Sequence, residues 1–119
     1  MFRKALLTVS LVMMAALPSV AAVETRCGWL DNPTPGNWWL TDADGRWTMM
    51  AQGGYQAQGM ELIPEFKPNQ YVKTNGYYGY TCACMNVTTS SKLSRIRQIY
   101  SVKPLKLSQC RQDPNLPDR

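Results

Sequence analysis

Trp38-Trp39-Leu40-Thr41-Asp42-Ala43-Asp44-Gly45-Arg46-Trp47-Thr48-Met49-Met50-Ala51-Gln52 reads as two strands joined by a tight turn. Trp38 to Thr41 is strand-forming by residue type. Asp42-Ala43-Asp44-Gly45 is the turn: aspartates hydrogen-bond their own local backbone, and Gly45 takes a backbone conformation open to glycine. Arg46 to Gln52 returns as the second strand. Side chains alternate across a strand, so Trp47, Met49 and Ala51 share one face and Arg46, Thr48, Met50 and Gln52 the other. This hairpin sets the expected class as mainly β.

Further along, Tyr71 to Thr74 reads as a short strand and Asn75-Gly76 as a tight turn. Tyr77 to Val87 follows as a longer strand. Its small residues Gly79, Thr81 and Ala83 share one face, which predicts that something packs closely over them. Thr88 to Lys92 reads as a polar turn and Leu93 to Val102 as another strand, which Pro104 should end. Leu107 to Arg111 suits one helical turn pinned by Cys110. Glu61 to Pro64 is a short segment closed by proline, Phe66 to Gln70 reads as loop, and Gln56 to Met60 fits no single state. Upstream of the hairpin, two prolines and a glycine within Asn32 to Asn37 predict an irregular entry over Val23 to Asn37. Cys27 to Leu30 anchors that entry to the body. The expectation is five or six antiparallel strands in a small barrel or sandwich, OB-like as the specific guess, with at most one short helix.

The N-terminus carries a different pattern. Arg3 and Lys4 are followed by an apolar run from Ala5 to Leu17, broken only by Thr8 and Ser10, and then by small residues from Pro18 to Ala22. These parts predict a signal peptide over residues 1–22, cut after Ala21 or Ala22. The run is short for a membrane span, which takes ~20 apolar residues. Cys27 lies too far from the cut for lipidation, and no later segment is apolar enough to span a bilayer. Residues 23–119 are then a single mature domain, with a tail expected to be loose after about residue 116. The leader holds two of the thirteen basic residues and none of the eight acids, so the mature balance falls from +5 to +3. That mild charge, without a dense cluster, argues against nucleic acid.

The mature chain has four cysteines: Cys27, Cys82, Cys84 and Cys110. An even count behind an export signal predicts two disulfides. Cys82 and Cys84 are two apart on a strand, too distant for easy bridging to each other. Each therefore pairs with Cys27 or Cys110, as 27–82 with 84–110 or as 27–84 with 82–110. Either arrangement closes loops worth ~3.5–4 kcal/mol each in the loop-entropy model. A soft-metal site at Cys82, Cys84 and Met85 is the competing reading, and it requires free thiols.

Several blocks matter as a set: Arg26-Cys-Gly-Trp-Leu, Asn32-Pro-Thr-Pro-Gly-Asn-Trp-Trp-Leu, Asp44-Gly-Arg-Trp, Gly53-Gly-Tyr, Thr74-Asn-Gly-Tyr-Tyr-Gly-Tyr-Thr-Cys-Ala-Cys and Pro104-Leu-Lys-Leu-Ser-Gln-Cys-Arg. In this order they resemble a family of short exported proteins of Gram-negative bacteria that carries only a "domain of unknown function" label. The resemblance runs from about Glu24 to Leu116. It implies a periplasmic or secreted setting and brings no activity, ligand or catalytic residue.

The absence of histidine removes Ser-His-Asp and Cys-His mechanisms. Oxidised cysteines leave no thiolate nucleophile. Asp42 and Asp44 could mimic part of a glycosidase pair or begin a calcium loop, but no further ligands follow at the required spacing, and the turn-forming role suits them better. Aromatic residues are the more suggestive feature. Trp38 and Trp39 must point to opposite faces, and an exposed aromatic on a β-surface stacks on sugars or anchors protein partners. Trp38, Trp39, Trp47, Tyr77, Tyr78 and Tyr80 are accordingly the binding candidates, with Arg95 and Arg97 as a modest basic strip. The leading expectation is a monomeric, non-enzymatic, inhibitor-like or binding module for a periplasmic protein or envelope glycan, with no cofactor and no metal. A structural or stress-related envelope protein and an acid-based envelope hydrolase are the alternatives.

Overall fold

A computed structural model of the chain describes Thr8, Ser10 and residues 21–119. The leader expected over residues 1–22 thus lies almost wholly outside the described residues. Among the described residues, no helix is long and apolar enough to cross a membrane.

Among the described residues, six strands and one short helix follow in order: β1 (Glu24–Thr34), β2 (Asn37–Asp42), β3 (Gly45–Met50), β4 (Tyr71–Asn75), β5 (Tyr78–Ser90), β6 (Arg95–Leu105) and α1 (Leu107–Arg111). Short 3-10 turns occur at Met60–Leu62 and Pro68–Gln70. β1, β2 and β3 form an antiparallel meander. β5 pairs antiparallel with β1 on one side, and with β4 and then β6 on the other. A parallel bridge between Thr48 and Arg95 joins β3 to β6 and closes a partial ring β1-β2-β3-β6-β5. The sheet is a small, partly closed barrel of the mainly β class, as expected, with β4 added at its edge.

The expected hairpin is β2–β3. Asp42 Oδ1 accepts the Asp44 backbone N–H at 2.9 Å, and Gly45 has φ +132°. Inside the ring, Leu30, Leu40, Met49, Met85, Ile96 and Ile99 are fully buried and form the main core. A second, smaller cluster lies outside it, where α1 and the tail cover Trp29 and Cys82. Both faces of β1 and β5 are therefore buried over part of their length. The tail beyond Leu116, expected to be loose, makes definite contacts: Trp29 Nε1 donates to Pro117 O at 2.9 Å, and Arg119 pairs with Asp31.

Three boundaries differ from expectation. Val23 to Asn37 is not an irregular entry but mostly strand. Pro33 falls in an irregularity of the β1–β2 register, and Pro35-Gly36, with Gly36 at φ +70°, forms the turn between Thr34 and Asn37. Thr88 to Lys92 is not a turn as a whole, because β5 continues to Ser90. Pro104 does not end β6. It pairs with Ala83, and β6 has no strand on its other side there, so the missing N–H disturbs no ladder.

The close packing foreseen over Gly79, Thr81 and Ala83 is real. A Cβ on Gly79 would stand 1.8 Å from Val72 O, Thr81 Oγ1 donates to Gln70 O, and Ala83 lies in the main core. The cysteines pair as Cys27–Cys84 and Cys82–Cys110, and none is free. Register decides between the two arrangements: Cys27 stands directly opposite Cys84, while α1 carries Cys110 over Cys82.

Candidate ligand-binding cleft

One end of the barrel is closed by a charged network. Arg26 donates to Asp42 at 2.8 Å, to Asp44 at 2.9 Å and to Glu24 at 2.9 Å. Its guanidinium lies 4.0 Å from the Trp47 ring centroid, and Trp47 Nε1 donates to Asp42 at 3.0 Å. Burial works against the Arg26 charge, but the hydrogen bonds to Asp42 and Asp44 outweigh it and raise its pKa above the ordinary value. Among the described residues, Arg26 Nε and Trp39 Nε1 are buried without a partner. Asp42 and Asp44 thus fold the turn and hold Arg26. A cleft of about 460 Å³ opens beside them, yet the charged groups of Arg26 and Asp44 in its wall are already satisfied by each other.

The aromatic candidates are dispersed. Trp47 is core, only 7% exposed. Trp38 is half-buried against the core and lines a small apolar cleft with Met50, Met60 and Ile63. Trp39 lies on the opposite face, with the Arg46 guanidinium 4.2 Å from its ring centroid. Tyr80 packs edge-on against Trp29 and carries Arg119 at 4.8 Å. Tyr78 is half-buried in β5, and Tyr77 projects from the β4–β5 turn, 85% exposed. No single surface gathers these rings.

A different group of residues does converge. β3 and β6 touch at one bridge and then part, and residues 55–58 enter the gap. Ala57 N donates to Met49 O at 2.8 Å on one side. On the other, Gln58 N donates to Arg97 O at 3.0 Å and Ile99 N to Gln58 O at 2.8 Å. Alternation along this inserted segment turns Ala57 into the core and Gln56 and Gln58 outward. Tyr55 is locked by a hydrogen bond from its hydroxyl to Ile96 O at 2.7 Å, with the Arg95 guanidinium 4.4 Å from its ring centroid.

The resulting cleft has a volume of about 410 Å³. Tyr55, Gln56 and Gln58 form one wall; Thr88, Arg97, Gln98 and Tyr100 form the other, and Ala21 stands at its edge. Tyr100 is 46% exposed. Among the described residues, none of the side chains of Gln56, Gln58, Thr88, Arg97, Gln98 and Tyr100 hydrogen-bonds to another residue. Three amides, a guanidinium and a phenol therefore line the cleft with their side-chain hydrogen-bonding capacity unspent among the described residues, beside the largely buried Thr88. Such a wall can bracket vicinal hydroxyls, and a tyrosine ring can cover the apolar face of a sugar.

Of the residues singled out by sequence, Arg97 lines this cleft and Arg95 supports its Tyr55. The glutamines, Tyr55, Thr88 and Tyr100 were not foreseen, and only the alternation Tyr55-Gln56-Ala57-Gln58 could have marked part of the wall. A family model described as "Protein of unknown function (DUF4087)" matches residues 21–117. No curated protein and no solved structure matches the chain.

Proposed function

The chain belongs to the DUF4087 family, whose description carries no activity, and we propose from the chain's own geometry that it is an exported, non-enzymatic binding module whose amide-rich cleft takes an envelope glycan. The observation that carries this reading is the convergence of unspent polar side chains from residues 55–58, β5 and β6 on one open cleft. Two disulfides fit an oxidising compartment. The leader read over residues 1–22 supports export, and a cut after Ala21 or Ala22 removes Ala21 from the edge of the cleft. The missing histidine and the disulfide-bound cysteines favour binding over turnover. Asp42 and Asp44 are engaged by Arg26, which weighs against their use as a hydrolytic pair.

A set of soluble oligosaccharides and purified cell-wall fragments presented to the processed protein tests this. Saturable binding by neutral or acidic sugars, weakened by Gln58→Ala and Gln98→Ala, is the expected result. Binding to no glycan of the set would overturn it and leave the structural envelope role in its place.

A further inference from the structure

We propose that a second cleft, between the turn at Pro68–Gln70 and α1, is an anion site that takes a phosphate ester. The cleft has a volume of about 380 Å³ and is lined by Lys67, Asn69, Gln70, Lys106, Ser108 and Arg111, with Leu107. Three cations face one space, and no carboxylate is among its lining residues. Every ion pair found among the described residues belongs to Arg26 or Arg119, so no acidic side chain neutralises Lys67, Lys106 or Arg111. Asp113, close to Arg111 in sequence, accepts the Asn115 backbone N–H instead, and Glu65 lines the apolar cleft beside Trp38. Arg111 Nε donates at 3.3 Å to a terminal carboxylate oxygen of Arg119, and its two terminal nitrogens have no protein partner among the described residues.

The walls are fixed in place. Cys110, inside α1, is bonded to Cys82 of β5, so Lys106 and Arg111 flank a covalently anchored turn. Opposite, Gln70 O accepts from Thr81 Oγ1, and Gln70 N donates to Lys67 O at 2.9 Å. Three cations against one terminal carboxylate leave a net positive charge, and an anion bound among them relieves the remaining repulsion. A guanidinium reads two phosphate oxygens at once and an ammonium adds a point charge, while Asn69, Gln70 and Ser108 supply neutral donors. The cleft is larger than a phosphate group alone needs, so the group fits as an ester on a larger body: a sugar phosphate or a lipid head group. Those two sources share the chemistry and differ in the test.

The test is an NMR titration of the processed protein with inorganic phosphate, glucose 6-phosphate and sulfate at low salt. Sedimentation with vesicles of phosphatidylglycerol or phosphatidylcholine runs in parallel. Saturable shifts confined to Lys67–Gln70 and Lys106–Arg111 are expected, tighter for the ester than for free phosphate and weakening with added salt. Lys106→Gln and Arg111→Gln should each weaken binding about tenfold, whereas Lys92→Gln, on the remote β5–β6 turn, removes the same charge without effect. Binding to phosphatidylglycerol vesicles that is lost in the same two variants identifies the lipid source and upholds the site; a sugar phosphate with no vesicle binding identifies the other. No saturable shift with any phosphate compound, or equal losses in Lys92→Gln and Lys106→Gln, overturns the proposal.

Discussion

Cys27 and Cys84 stand opposite one another on β1 and β5, with Cα atoms 4.0 Å apart and their sulfurs joined. This bond staples two strands that are already paired. The second bond, Cys82–Cys110, does something different: it fastens α1 to β5 across a separation of 28 residues. The two should therefore fail differently. Replacing Cys82 and Cys110 together by alanine should release α1 and the tail from Trp29 while the barrel persists, at a cost of up to ~3.6 kcal/mol in the loop-entropy model. Chemical denaturation followed by tryptophan fluorescence checks the cost, and hydrogen exchange at residues 107–117 checks the location.

Asp42 is the keystone of the barrel end. Its carboxylate accepts from Arg26, from the Trp47 indole and from the Asp44 backbone. Asp42→Ala takes one of three carboxylate partners from Arg26 and leaves the buried Trp47 indole N–H without its acceptor, and should cost about 1–3 kcal/mol. Asp42→Ala combined with Arg26→Met should cost less than the two single changes added together, because both remove the same Arg26–Asp42 ion pair. Equilibrium unfolding of the four proteins measures this coupling.

Gly28 allows β1 to cross β2 at close range: a Cβ there would lie 1.9 Å from the Thr41 carbonyl oxygen. The obstacle is backbone and has no flexible end to move aside. Gly28→Ala should therefore destabilise by at least about 1–3 kcal/mol, with Gly45→Ala as a comparison in which strain comes from φ +132° and not from contact. Thermal unfolding should place Gly28→Ala well below the parent protein.

Tyr71 has its hydroxyl pKa raised, first by burial and then by the negative charge of Asp31. The folded state thus holds the phenolic proton more tightly than the unfolded chain does. Its contribution to stability is complete below the unfolded value of about 10 and is lost as pH rises through the higher folded value. Stability should fall above pH 10 less steeply in Tyr71→Phe than in the parent, as read by denaturant midpoints at successive pH values.

Much of the fold is written in short-range signals. The β2–β3 turn, the Asn75-Gly76 turn and the Cys110 helical turn depend on a few adjacent residues, and all were readable. β1 was not, for two reasons. Gly28, Trp29, Leu30 and Asp31 are all buried, so no alternation of apolar and polar residues appears there. Pro33 and Pro35 look like breakers but fall at a register irregularity and a turn, where a missing N–H does no harm. The disulfide choice hung on register, a long-range property of β1 against β5. The glutamine cleft was hidden more deeply. Its walls come from an irregular segment, β5 and β6, and only the gap between β3 and β6 brings them together. Aromatic richness pointed elsewhere, because Trp29 and Trp47 serve the two cores.

Isothermal titration of the processed protein with soluble cell-wall glycan fragments, beside the Gln58→Ala/Gln98→Ala variant, tests the binding role most directly. Saturable heat from the parent, reduced at least about tenfold in affinity in a variant of unchanged stability, is the predicted result, in line with the loss of two hydrogen-bonding side chains. Equal affinities, or no heat from the parent with any fragment, would contradict it.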